Sequence, residues 1–247
     1  LHEDSTGRVW MGTAAHGAFV WSAGVPAARA LQLPGLPELG DLSVSHIHEL
    51  RPGVLWLATL GRGVVVVEPG PAPGVDGALQ ARWQPLRHRP GWPLGLGDDT
   101  VRAILRDRSG LVWLATDSGV NIHDATQTAL RTVLGLPGVT GAERVEISAI
   151  LQAGDGRLWL GTQKQGVAVL DAAGGKTTHL RPDRQRPDSS LPEDIVLALV
   201  EGLQGEVWIA TKRGLYRARA DGSGLQRVTL AGRHPSAAIW ALLRQGM

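Results

Sequence analysis

The 247-residue chain has no cysteine, one phenylalanine, one tyrosine and two methionines. Without cysteine there is no disulfide, no thiolate metal site and no cysteine nucleophile. No stretch approaches the roughly 18 apolar residues that a membrane-spanning helix requires. No basic segment leads into an apolar one at the start, so a secretory signal would have to lie outside these residues. Lysine and arginine form no run, and 25 basic against 23 acidic residues leave a formal charge of +2. That is no electrostatic footprint for nucleic acid. A 3.6-residue apolar period is missing throughout, so no helix is expected. Signatures such as G-x-S-x-G, H-E-x-x-H and a phosphate-binding loop are missing too. The chain is therefore not expected to be an enzyme, and nothing in it asks for a cofactor.

What is present is turn-forming and repetitive. Thirty-three glycines and 15 prolines suit an all-β protein with many turns. Nine tryptophans beside single Phe and Tyr residues suggest that Trp holds a fixed position in a repeated unit. The motif G-x-[VL]-W-[MLI]-[GA]-T occurs five times, beginning at Gly7, Gly53, Gly110, Gly156 and Gly205. Its tryptophans are Trp10, Trp56, Trp113, Trp159 and Trp208, spaced 46, 57, 46 and 49 residues apart. A second glycine soon follows each motif, at Gly17, Gly63, Gly119, Gly166 and Gly214.

Each repeat reads as four strands, here A to D. Strand A precedes the first glycine, as in Val44 to Leu50, Val101 to Arg106, Ile147 to Gln152 and Val196 to Glu201. Strand B carries the Trp. Strand C follows the second glycine, as in Val64 to Glu68 or Leu215 to Arg219, and strand D is the least regular. Strands A and B are apolar on both faces, so one four-stranded sheet cannot bury itself. Like units packed face to face about an axis solve this, which predicts a β-propeller of four-stranded blades. The small residue two places after each Trp (Gly12, Ala58, Ala115, Gly161, Ala210) shares its face and leaves room for the neighbouring blade. The strand-end Thr can bond the turn backbone.

The fullest repeat, Val101 to Val120, resembles the two-component regulator propeller repeat. The turn Asp of that repeat is present at Asp4 and Asp107 and replaced at Leu50, Ala153 and Gly202. The Pro- and Gly-rich stretch from Pro69 to Gly97 reads as an insertion. The resemblance implies the extracytoplasmic sensor portion of a bacterial hybrid histidine kinase or diguanylate cyclase. A downstream kinase or cyclase domain of the same polypeptide and an inner-membrane receptor context are implied with it. Arginine greatly outnumbers lysine, which fits a GC-rich bacterium.

Register places Leu1 already inside a strand A, while Ile239 to Gln245 reads as the strand A of a further repeat. One propeller domain over 1–247 is expected, as a segment of a larger, seven-bladed type of propeller or, alternatively, a closed five-bladed ring.

Residues repeated five times are what a scaffold needs, so the motif Trp, Thr and Gly residues are read as structural. Recognition is expected from what varies, namely the B–C turns with His16, Arg62, Asp117, Lys164, Gln165, Lys212 and Arg213. The D–A connections, expected at the same end, add Asp41, Asp98, Asp99, Glu143, Glu193 and Asp194. Such a mixed-charge rim suits a small polar ligand or a glycan. The alternatives are a solvated loop face and a protein-interaction or homodimerisation platform. His46-x-His48 puts two imidazoles on one strand face, but spacing indicates no third ligand, so no metal is expected. Trp21, Trp83 and Trp92 fall outside the repeat register; they are expected to pack at blade edges, with sugar stacking by Trp92 in the insertion as the alternative.

Overall fold

In the computed structural model, residues 1–33, 42–73, 79–89, 95–124, 130–133, 145–171, 177–230 and 237–242 are described. Each motif Trp lies on the second strand of a four-stranded antiparallel blade. Blade 1 contains β1 (His2–Glu3), β2 (Val9–Gly12), β3 (Ala18–Trp21) and β4 (Arg29–Gln32). Blade 2 contains β5 (Val44–Arg51), β6 (Val54–Thr59), β7 (Val64–Pro73) and β8 (Leu79–Leu86). Blade 3 contains β9 (Val101–Arg106), β10 (Val112–Thr116), β11 (Gly119–His123) and β12 (Leu130–Val133). Blade 4 contains β13 (Ile147–Gln152), β14 (Leu158–Thr162), β15 (Val167–Leu170) and β16 (Thr177–Leu180). Blade 5 contains β17 (Val196–Glu201), β18 (Val207–Thr211), β19 (Gly214–Ala218) and β20 (Gln226–Val228). The chain divides into two compact units, Leu1–Thr116 with Asn121–Thr132, and Asp117–Val120 with Val133–Met247.

Three expectations need correction. Strand C of blade 2, expected to end at Glu68, runs on as β7 to Pro73, and β8 starts at Leu79, giving blade 2 a long outer hairpin. That hairpin changes the sheet. The start of β8 pairs in parallel with β4, Leu31 opposite Leu79, so blades 1 and 2 share one eight-stranded sheet. Pairing also covers an outer edge that would otherwise be left open. At the other end, the expected strand Ile239 to Gln245 lies partly outside the described residues, and its described part, up to residue 242, forms no strand. Ile239 still donates its N–H to the Thr211 carbonyl, as Val44 does to Thr13, so it begins in strand A register. One 3-10 turn, Pro187–Ser189, is the helical element among the described residues.

The blades pack as the small residues require. A Cβ on Gly12 would stand 2.7 Å from the Val44 carbonyl oxygen and 2.8 Å from Val44 Cγ1. On Gly161 it would stand 2.6 Å from Val196 Cγ1. Val44 and Val196 each open the strand A of the next blade, so the small position is where that strand crosses. Trp10 and Trp159 are fully buried and Trp56 nearly so, while Trp113 and Trp208 are half-buried. Trp83 packs against the blade 1–2 core, and Trp21 is partly exposed with its indole N–H on the Val25 carbonyl.

Polar side chains stitch neighbouring blades together. Seven residues before the motif Trp of blades 2 to 5 stand Glu49, Arg106, Gln152 and Glu201. Glu49 accepts from Ser5 N at 2.6 Å and Ser5 Oγ at 2.8 Å, in the A–B turn of blade 1. Arg106 donates to the Leu50 carbonyl of blade 2 at 3.0 Å, and Glu201 accepts from Gly154 N of blade 4. A second stitch is serine: Ser45 Oγ reaches the Val101 carbonyl, and Ser148 Oγ the Val196 carbonyl, both at 2.6 Å.

Candidate functional site

The B–C turns are held from below by the repeated residues. Thr13, Thr59, Thr162 and Thr211 each donate from Oγ1 to the carbonyl of the second glycine, at 2.8–3.0 Å. The same Oγ1 accepts the N–H of His16, Arg62, Gln165 or Arg213. The second glycine must be glycine. Gly166 has φ +70°, and a Cβ there would lie 2.1 Å from the Leu180 carbonyl oxygen. Its N–H bonds the Asp194 carbonyl, Gly63 N bonds that of Asp99, and Gly17 N that of Leu42. B–C turns and D–A connections therefore do lie together within each unit. The backbone there is fixed by invariant groups, and the variable side chains project from it.

The seven candidate residues divide between the two units. His16 is exposed and Arg62 half-buried in the first. In the second, Lys164, Lys212 and Arg213 are exposed, and Asp117 and Gln165 are half-buried. Lys164 Nζ pairs with Glu146 at 2.6 Å, and Arg181 donates to both the carbonyl and Oε1 of Gln165 at 3.2 Å. Lys164 is thus held by Glu146, and Gln165 by Arg181. Arg213 offers its carbonyl to Arg227 Nη2 at 3.3 Å. Glu146, Arg181 and Arg227 were missed by sequence reasoning because they sit in strands or strand flanks rather than in the variable turns. Of the D–A acids, Asp98 caps Thr100 N and Asp99 Oδ1 accepts from His88 N, both in a backbone-holding role. Asp41, Glu143 and Trp92 lie outside the described residues.

At the opposite strand ends the turn Asp explains its own presence. Asp107 Oδ2 accepts from the indole N–H of Trp113 at 2.7 Å, while Oδ1 accepts from Ser109 N, Ser109 Oγ and Leu111 N. Asp4 does the same for Trp10, Thr6 and Arg8. Desolvation would raise both carboxyls, but these bonds outweigh it and hold them below the usual range. Repeats without the Asp satisfy the indole otherwise. Glu206 Oε1 accepts from Trp208 at 3.0 Å, in the space a side chain on Gly202 would take, and Trp159 donates to the Ala220 carbonyl at 3.2 Å.

His46 and His48 gain a neighbour in His2, whose ring lies 5.6 Å from that of His48. His2 Nε2 accepts the Glu49 N–H at 3.0 Å. Burial lowers the affinity of all three imidazoles for protons, that of His46 toward a pKa of about 4. Among the described residues, no three His, Cys, Asp or Glu side chains are arranged to hold a metal ion.

Residues 95–118 and 144–164 match the family model described as "Two component regulator propeller". No curated protein matches the sequence. Solved structures match over nearly the whole chain. The extracellular domain assigned to a hybrid two component system of B. thetaiotaomicron is 16% identical over 91% of this chain, with a TM-score of 0.69. A second extracellular domain from that organism, assigned to a one component system, is 17% identical over 92%, with a TM-score of 0.66. This chain spans only 29% and 28% of those two chains. Virginiamycin B lyase of Staphylococcus aureus is 15% identical over 96% of this chain and 72% of its own, with a TM-score of 0.58. At these identities the likeness is one of fold, and the fold serves receptors and an enzyme alike. The motif and the four-stranded blades thus agree with the match to the family model, which covers two stretches of repeat in a chain whose whole length has the propeller fold.

Proposed function

We propose that the chain is an extracytoplasmic sensing module of a bacterial signal-transduction receptor that recognises a small polar ligand or a glycan at its B–C turns. One observation carries this reading. The invariant Thr and Gly groups are consumed in fixing the turn backbone, so the side chains that differ between blades are displayed on a rigid base. The regulatory family supports a signalling role, and the B. thetaiotaomicron extracellular domains support a place outside the cytoplasm. Ligand occupancy would bias the packing of a downstream kinase or cyclase domain of the same polypeptide.

A thermal-shift screen of neutral sugars and small inorganic anions tests the proposal. A compound that raises the melting temperature of the protein should lose its effect in the double variant Lys164→Ala, Arg213→Ala. A hit that survives removal of every B–C turn side chain would refute the assignment to this face. If no compound binds but the protein self-associates through these turns, the interaction-platform reading replaces it.

A further inference from the structure

The second unit contains a cavity of about 570 Å³ at the strand ends away from the B–C turns. It is bounded by the A–B turn of blade 4 at Gly154 and Asp155, the A–B turn of blade 5, and the C–D hairpin of blade 5. Its volume falls in the range of small-molecule sites. None of the seven B–C turn residues lines it.

Its composition departs from the repeat at one telling position. The residue paired across the sheet from the motif Trp is Val20 in blade 1, Val66 in blade 2 and Val169 in blade 4. In blade 5 it is Arg217, opposite Trp208. Arg219, two residues on, projects from the same side, and both are exposed while Ala218 between them is buried. Arg217 Nη2 has a long contact of 3.4 Å to Gln226 Oε1, and Arg219 lies along Gly224. Among the described residues, neither guanidinium has a carboxylate within ion-pair distance.

The lining acids are already engaged. Asp155 pairs with Arg157, Glu201 holds Gly154 N, and Glu206 accepts from Trp208 Nε1 and Gln204 N. Each oxygen of Glu206 keeps accepting capacity toward the cavity, as does the amide of Gln226. Arg217 acts on Glu206 and Arg219 on Asp221 through charge but without a direct ion pair, which leaves both guanidinium forks open to a bound anion.

We propose that this cavity binds a small organic carboxylate that carries its own hydroxyl or ammonium donors. Arg217 and Arg219 hold the carboxylate, with planar forks that match it in pairs. Glu206 and Gln226 accept from the ligand's donors. The site is independent of the reading of the B–C turns.

Melting curves of the 247-residue protein with malate, glucuronate and glutamate, and with inorganic phosphate and glucose as controls, decide the matter. A carboxylate with donors should raise the melting temperature saturably by a few degrees. Malate or glucuronate responding alone assigns hydroxyl donors, and glutamate alone assigns an ammonium. Arg217→Ala with Arg219→Ala should weaken the response about tenfold or more, and Arg217→Lys should weaken it partly. Both residues are exposed, so the unliganded melting temperature should hold, whereas Lys164→Ala should leave the response intact. No response to any carboxylate, a response to phosphate of equal size, or a response indifferent to both arginines would each overturn the proposal.

Discussion

Each motif indole must bury its ring and still satisfy its N–H, and the A–B turn is where this is settled. Asp107 bonds three backbone or hydroxyl donors of its own turn and then the indole of Trp113, so one carboxylate shapes the turn and anchors the ring. Asp107→Ala should destabilise the protein by about 1–3 kcal/mol in chemical denaturation, the usual cost of stranding a buried donor. Asp107→Asn, which keeps one acceptor oxygen, should cost less. Gly161→Ala should cost a similar ~1–3 kcal/mol by overpacking, since its Cβ would collide with Val196. These roles were legible in the sequence because they repeat: the Trp, the small residue after it and the closing Thr keep their identity. The stitching residues do not. Glu49, Arg106 and Glu201 occupy one register and do one job with different chemistry, so no pattern of identities reveals them. Arg217 was within reach, through comparison with Val20, Val66 and Val169, but only once cross-strand pairing was known.

Among the elements, the seam between the first strands of blades 1 and 2 gathers three partly buried imidazoles and should respond to acid. His2, His46 and His48 meet there beside Asp4, Glu49 and Arg106, and desolvation disfavours the charged form of each imidazole. Protonation of His2 would also cost it the acceptor for the Glu49 N–H. The unfolded chain takes up these protons near the ordinary value of 6.5, before the folded one does. Stability should therefore be full above pH 6.5 and decline as pH falls toward about 4, where His46 titrates in the folded state. Equilibrium denaturation between pH 7.5 and 4.5 checks this. His46→Gln should flatten the decline, and an unchanged slope would show that the seam does not carry it. At this scale the sequence was misread in blade 2. Proline and glycine after Pro69 signal a loop, yet the chain continues as strand as far as Pro73, through a bulge, because β8 and then β4 supply partners.

At the scale of the whole molecule, the repeat separates two tasks. Groups common to all blades make the structure, and under the proposal the side chains that differ in the B–C turns carry recognition. The 570 Å³ cavity could not be foreseen, because its lining comes from three turns that are remote in sequence. The most direct test of this division is a comparison of unliganded melting temperatures for two variants of the same protein. Trp159→Ala removes a fully buried indole, which should cost about 3–5 kcal/mol, or roughly 6–20 °C in a chain of this size. The exposed pair Lys164→Ala, Arg213→Ala should move the midpoint by no more than about a degree or two, as surface changes do. Equal losses in the two variants, or a midpoint indifferent to Trp159, would contradict the account.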